Sequence, residues 1–174
     1  MHTAKCSVPL LVMLALVLGT SPARAETVSC TAITSLPAVI TVQGIYCFTG
    51  DLNTALTSGN AIDIQTNNVV LDLNGFKLGG LAAGLGTNAF GIAADNRQNL
   101  TIKNGTIRGF FLGIRLGNSG ASQGHVVEDI RADQNTSIGL SVAGAGHIVR
   151  NNQVVATGGT TAFGANANAY GIYL

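Results

Sequence analysis

Two histidines stand in matching tetrapeptides, Gly124-His125-Val126-Val127 and Gly146-His147-Ile148-Val149, 22 residues apart. If these segments are neighbouring strands, the two imidazoles lie side by side and could share an ion. Zinc takes four ligands and copper adds further His, Met or Cys. No third such ligand accompanies the pair, although Asp129 and Asp133 are close in sequence. The pair is read as stacked structural histidines, with copper as the ion to test. The densest acids are Glu128, Asp129 and Asp133, with Arg131 among them. Glycoside hydrolysis needs two carboxylates on one face. These three are the candidate catalytic set, and a solvated turn is the plainer reading of the same residues.

Only 10% of the chain is charged and 47% is hydrophobic, with 23 Gly, 15 Asn and no Trp. Average domains carry about 25% charge. So apolar a chain does not stay open as a disordered polymer. A net charge of +1 without a Lys/Arg cluster excludes a nucleic-acid partner that works by displacing counterions. Residues 1–25 read as a secretory signal: Lys5, an apolar run Leu10 to Leu18, and a small-residue exit Ala23-Arg24-Ala25. Nine residues make a helix of only about 14 Å, too short to span a bilayer. The mature chain therefore has no membrane span and is expected in the periplasm, at the cell surface or secreted. Cleavage removes Cys6 and isolates Cys30 and Cys47, which in an exported chain read as a disulfide.

Positioning these residues requires a scaffold, and the scaffold is written as a repeat. A phrase of small, apolar, variable, apolar residues returns at Ala61-Ile62-Asp63-Ile64, Gly91-Ile92-Ala93-Ala94, Gly113-Ile114-Arg115-Leu116, Gly139-Leu140-Ser141-Val142 and Gly171-Ile172-Tyr173-Leu174. Period two marks a strand with one buried face. Between these copies lie Leu71-Asp72-Leu73, Leu100-Thr101-Ile102, and segments ending at Val127 and Val149. Each is followed five residues later by another apolar residue: Leu78, Ile107, Ala132, Val154. Fixed turns inside units of 22–32 residues, without an amphipathic helix, predict a right-handed parallel β-helix of four to five coils. Ile62, Ile64, Ile92, Ile114, Leu116, Leu140, Val142 and Ile172 would form core columns, as would Leu71, Leu73, Leu100, Ile102, Val127 and Val149. Residues 26–60 are expected to be N-terminal strands or a cap with the disulfide, and residues 61–174 the repeats.

Pro37-Ala38-Val39-Ile40-Thr41-Val42-Gln43-Gly44-Ile45-Tyr46-Cys47, Asn68-Val69-Val70-Leu71-Asp72-Leu73-Asn74-Gly75 and the segment Leu100 to Gly109 are similar to exported bacterial parallel β-helix repeat proteins. That group is related in fold to pectate lyases. The resemblance implies the fold but hardly an activity. Pectate lyases use clustered Asp for calcium and an Arg as base, and related hydrolases carry Gly-His-Gly; here Val126 follows His125. A β-helix family also assists copper loading of nitrous-oxide reductase, which is why copper is named for His125 and His147. Calcium and copper are thus implied only by fold analogy.

The second phrase places Asn104, Asp129 and Asn151 in one column, an expected structural ladder, with Lys103, Glu128 and Arg150 beside them alternating in sign. Leu174 falls inside the fifth copy of the first phrase, so an incomplete last coil is expected, with self-association through it as one outcome. Outward residues Asp63, Ala93, Arg115, Ser141 and Tyr173 show little aromatic surface for carbohydrate. The functional expectation is an exported, non-catalytic scaffold or surface-interaction module. The alternatives are a polysaccharide lyase or hydrolase and a periplasmic metal-handling protein.

Overall fold

The computed structural model describes residues 29–117, 121–163 and 168–174; the secretory signal expected at residues 1–25 lies outside them. The strands in chain order are β1 (Thr31–Ile33), β2 (Ala38–Ile40), β3 (Gly44–Phe48), β4 (Leu52–Asn53), β5 (Asn60–Ile64), β6 (Val69–Asp72) and β7 (Lys77–Gly79). After a short 3-10 turn at Leu81–Ala83 come β8 (Phe90–Ala94), β9 (Leu100–Arg108), β10 (Leu112–Leu116) and β11 (Val126–Asp133). The remainder are β12 (Ile138–Val142), β13 (Ile148–Arg150), β14 (Gln153–Val155) and β15 (Tyr170–Tyr173). Strand pairs are parallel, so the chain is a β-solenoid of about five turns.

Each turn visits the same rows. One sheet runs β2-β5-β8-β10-β12-β15. The other has two limbs, β1-β3-β6-β9-β11-β13 and β4-β7-β9-β11-β14, joined because β9 and β11 bend and serve both. Strands of residues 31–53 pair into these same sheets. Between β3 and β5 the chain contributes only the short strand β4 and a loop.

The first phrase stacks in register: Ile62, Ile92, Ile114, Leu140 and Ile172 are successive partners, and Ala38 precedes Ile62. Leu116 lies on Ala94 and Val142, and Ile64 on Ile40. Ile62, Ile92, Ile114 and Leu140 are fully buried, which stabilises by roughly 1.5–3 kcal/mol per side chain. Ile172 keeps the column but lies on the outer strand β15 and is 44% exposed. On the other sheet Leu71, Ile102, Val127 and Val149 stack, and so do Leu78, Ile107, Ala132 and Val154.

The constant spacing of five holds in three coils and fails in the first. There the column member is Leu71, seven residues before Leu78, and Leu73 belongs to an inserted turn closed by the Phe76 N–H donating to the Leu73 carbonyl at 2.7 Å. Leu73 is buried all the same, because Gly105 on the next coil has no Cβ to meet it. An apolar residue two positions beyond the column mimicked the period.

Corners are made by left-handed residues that also stack. Asn104 (φ 58°), Asp129 (φ 54°) and Asn151 (φ 55°) bend the chain between limbs. Asn68, Asn99, Gly124 and Gly146 do so before the first limb, and Gly109, Gln134 and Ala156 after the second. Parallel coils must turn at the same height, and only Gly and Asn adopt positive φ at little cost. Gly124→Ala should therefore destabilise by about 2 kcal/mol or more, from left-handed strain and because the new Cβ would lie 2.7 Å from Asn99 Oδ1. Ala156→Gly should instead stabilise by about 0.5–1 kcal/mol. Thermal unfolding of the two variants against wild type checks the opposite signs.

Candidate functional site

The polar residues fall into three places: a charged column on the outside of the first limb, an imidazole pair inside it, and the outer face of the six-stranded sheet. On the limb, Asp72, Lys103, Glu128 and Arg150 are consecutive register partners, alternating in sign. Lys103 Nζ lies 3.3 Å from Asp72 Oδ2, and Arg150 lies 2.6 Å from Glu128. Asp72 is almost fully buried and also accepts from the Asn74 N–H at 2.8 Å and from Asn104 Nδ2 at 3.2 Å. The sequence shows three members of this column; Asp72, hidden by the inserted turn, is the fourth and the best held.

The acidic trio does not converge. Glu128 is held by Arg150, and Asp133 by Arg108 at 3.5 Å. Asp129 is exposed at the left-handed corner between them, and no described side chain hydrogen-bonds it to Asn104 or Asn151. The Asn104–Asp129–Asn151 column is thus a stack of backbone bends rather than a run of side-chain hydrogen bonds. The Asp51–Lys77 pair at 2.9 Å and the Asp95–Arg115 pair at 3.1 Å likewise join neighbouring coils.

The histidines are neighbours across one coil step, with ring centroids 4.9 Å apart and planes within 7°. They occupy the inward column headed by Val69 and Leu100. The Leu100 N–H donates to His125 Nδ1 at 3.3 Å, and the His125 N–H to His147 Nδ1 at 3.1 Å. With both Nδ1 lone pairs engaged, each neutral ring carries its proton on Nε2. Both Nε2 atoms are buried without a partner, as is Ser122 Oγ. Parallel rings whose Nδ1 lone pairs are taken do not converge on an ion, and no cluster of three His, Cys, Asp or Glu occurs among the described residues. Burial, with His147 as a second cause, pushes His125 down to about 4.

The outer sheet face holds what sequence reasoning missed. Phe90 stacks on Phe111 at 6.3 Å, Phe111 meets Phe163 at 5.2 Å, and the Arg115 guanidinium lies 5.1 Å over Phe90. Phe90 and Phe111 fall just outside the repeated tetrapeptides and Phe163 lies in a loop, so counting along the strands skips them. Beside this ladder is a polar hollow of about 370 Å³ lined by Asn60, Asp63, Gln65, Asp95 and Arg97. A second cleft, about 440 Å³ and largely apolar, lies between Leu81, Leu85, Gly109, Thr136 and Ala156. Its rim is fastened where the Thr161 N–H donates to the Leu85 carbonyl at 3.0 Å.

Cys30 and Cys47 are joined as a disulfide, with Cα atoms 5.9 Å apart. No helix among the described residues is long and apolar enough to cross a membrane. Comparison with family models, curated proteins and solved structures finds no match to this chain.

Within the charged column burial should decide the energetics. Asp72→Ala leaves Lys103 and the Asn74 N–H facing a void and should destabilise by about 3 kcal/mol or more. Glu128→Ala, whose partner Arg150 is 62% exposed, should fall below about 1 kcal/mol. Urea unfolding of the two variants measures the difference.

Proposed function

We propose that this chain is an exported, non-catalytic β-solenoid that serves as a scaffold or surface-interaction module. The observation that carries this reading is the disposition of charge. Of the seven carboxylates among the described residues, five are held in ion pairs between coils: Asp51, Asp72, Asp95, Glu128 and Asp133. Asp63 accepts a hydrogen bond from Gln65 at 2.7 Å, and Asp129 stands alone at its corner. Acid–base or calcium chemistry needs carboxylates gathered on one face and free to act. Here they fasten one coil to the next. Export is supported by the leader pattern of residues 1–25 and by the Cys30–Cys47 bridge, since disulfides persist in oxidising compartments.

A second reading, a pectate-lyase-like protein that acts on acidic polysaccharide, draws on the parallel coils and on one specific feature. The Phe90–Phe111–Phe163 ladder beside the polar hollow offers rings and hydrogen-bonding groups on one face. Rings are broad amphipathic contact surfaces. Incubating residues 26–174 with uronate polymers, with and without calcium, separates the readings. No turnover is expected. Turnover that disappears in Asp129→Ala would replace the scaffold by a lyase or hydrolase, whereas retention on an immobilised polymer that Phe111→Ala abolishes, without turnover, would make it a carbohydrate-binding module.

A further inference from the structure

Where one coil rests on the next, two inward corners use an asparagine in the same way. Asn135 Oδ1 accepts the Phe110 N–H at 3.1 Å, while its Nδ2 donates to the Ile107 carbonyl at 3.2 Å. Asn152 Oδ1 accepts the Ile130 N–H at 2.9 Å, while its Nδ2 donates to the Val127 carbonyl at 2.8 Å. Such an amide satisfies an otherwise orphaned main-chain donor and never titrates. At the entrance to the first limb the role passes to imidazoles. His125 Nδ1 takes the Leu100 N–H, and His147 Nδ1 takes the His125 N–H, so two consecutive coil contacts run through one pair of rings.

From this substitution of imidazole for amide we infer that the His125–His147 stack is an acid-sensitive latch, whose protonation releases the coil carrying β13 and β14 from the rest of the solenoid. A protonated His125 has a hydrogen on both nitrogens and loses the Leu100 N–H; what the coil of β13 and β14 adds is the His147 ring stacked on it, so lifting that coil opens the imidazolium to water and takes the second ring away. The charge on His125 would also sit in an apolar column, 4.9 Å from a second imidazole. The groups packed against the pair are Leu100 above, Ser122, and the backbone at Gly144, none of which is charged. The nearest charged side chains on the same strands, Glu128 and Arg150, are bonded to each other, and Lys103 on β9 is bonded to Asp72. Among the described residues no carboxylate is therefore placed to stabilise an imidazolium here. The coil to be released is also lightly held: Ile148 is half exposed, and β13 and β14 each have three residues.

The sign follows from linkage. His125 in the closed coil titrates near 4, against an ordinary value of 6.5 once exposed. Its contribution to closure is complete above about pH 6.5 and is lost as pH falls towards 4, because the open form binds the proton first. Between these limits one such site raises the open population nearly tenfold per pH unit.

The test is hydrogen exchange of the full chain from pH 7 to pH 4.5, corrected for intrinsic exchange rates and compared with His125→Asn/His147→Asn. That variant keeps an acceptor at the δ position and cannot titrate in this range. In wild type, protection of residues 146–155 should fall more than tenfold between pH 7 and pH 5 and recover on neutralisation, while β5 and β8 stay protected. The double asparagine variant should stay flat. Wild-type protection that does not change, or an equal fall in the asparagine variant, overturns the latch. Should that variant fail to fold, an NMR titration of wild-type His125 decides: loss of β13 protection tracking its protonation supports the latch, and protonation with β13 intact overturns it.

Discussion

Register between parallel coils is the constraint on which everything else in this molecule rests. A solenoid coil has no partner but the coils on either side of it, so each residue type is stacked on its counterparts or wasted. Ile62, Ile92, Ile114 and Leu140 exclude water because they lie directly over one another. The same rule orders the left-handed corners and the alternating charges. A slip of one residue would turn each aliphatic column outward and set Lys103 beside Asp129 rather than Glu128.

This constraint also shapes what the surface can do. Charges that alternate from coil to coil are consumed as fasteners, and the buried carboxylate of Asp72 gathers donors from two coils. Catalysis would need the opposite arrangement, with unlike coils contributing like charges to one point. The chemical variety of the chain lies instead on the six-stranded face, where the rings of Phe90, Phe111 and Phe163, with Arg115 over Phe90, stand beside a polar hollow that includes Arg97. A rigid frame with a varied outer face suits recognition. Among the fasteners between coils, the imidazole pair is the one proposed to make the frame responsive to acid.

Much of the fold was legible because stacking repeats a short period. The tetrapeptide around Ile92, Ile114 and Leu140 states the strand, its buried face and the neighbouring coil together, and the aligned Gly-His segments state that His125 and His147 meet. Reading failed where the chain departs from its period. Leu73 satisfied the spacing rule from inside an inserted turn, which concealed Asp72 as the head of the charged column. Gln and Ala give no sign of a left-handed corner, so Gln134 and Ala156 are not legible as corners in the sequence.

By itself the sequence determined the parallel solenoid, the aliphatic columns and the pairing of the two histidines, because each follows from periodic residues whose partners lie one period away. Only the tertiary structure decided which polar groups are free. That depends on burial and on bonds between coils: the main-chain donors on His125 and His147, the ion pairs on Glu128 and Asp133, and the ladder of rings assembled from Phe90, Phe111 and Phe163. The partners in these contacts are fixed by where each corner and loop folds back, and unequal loops carry no period from which that could be read.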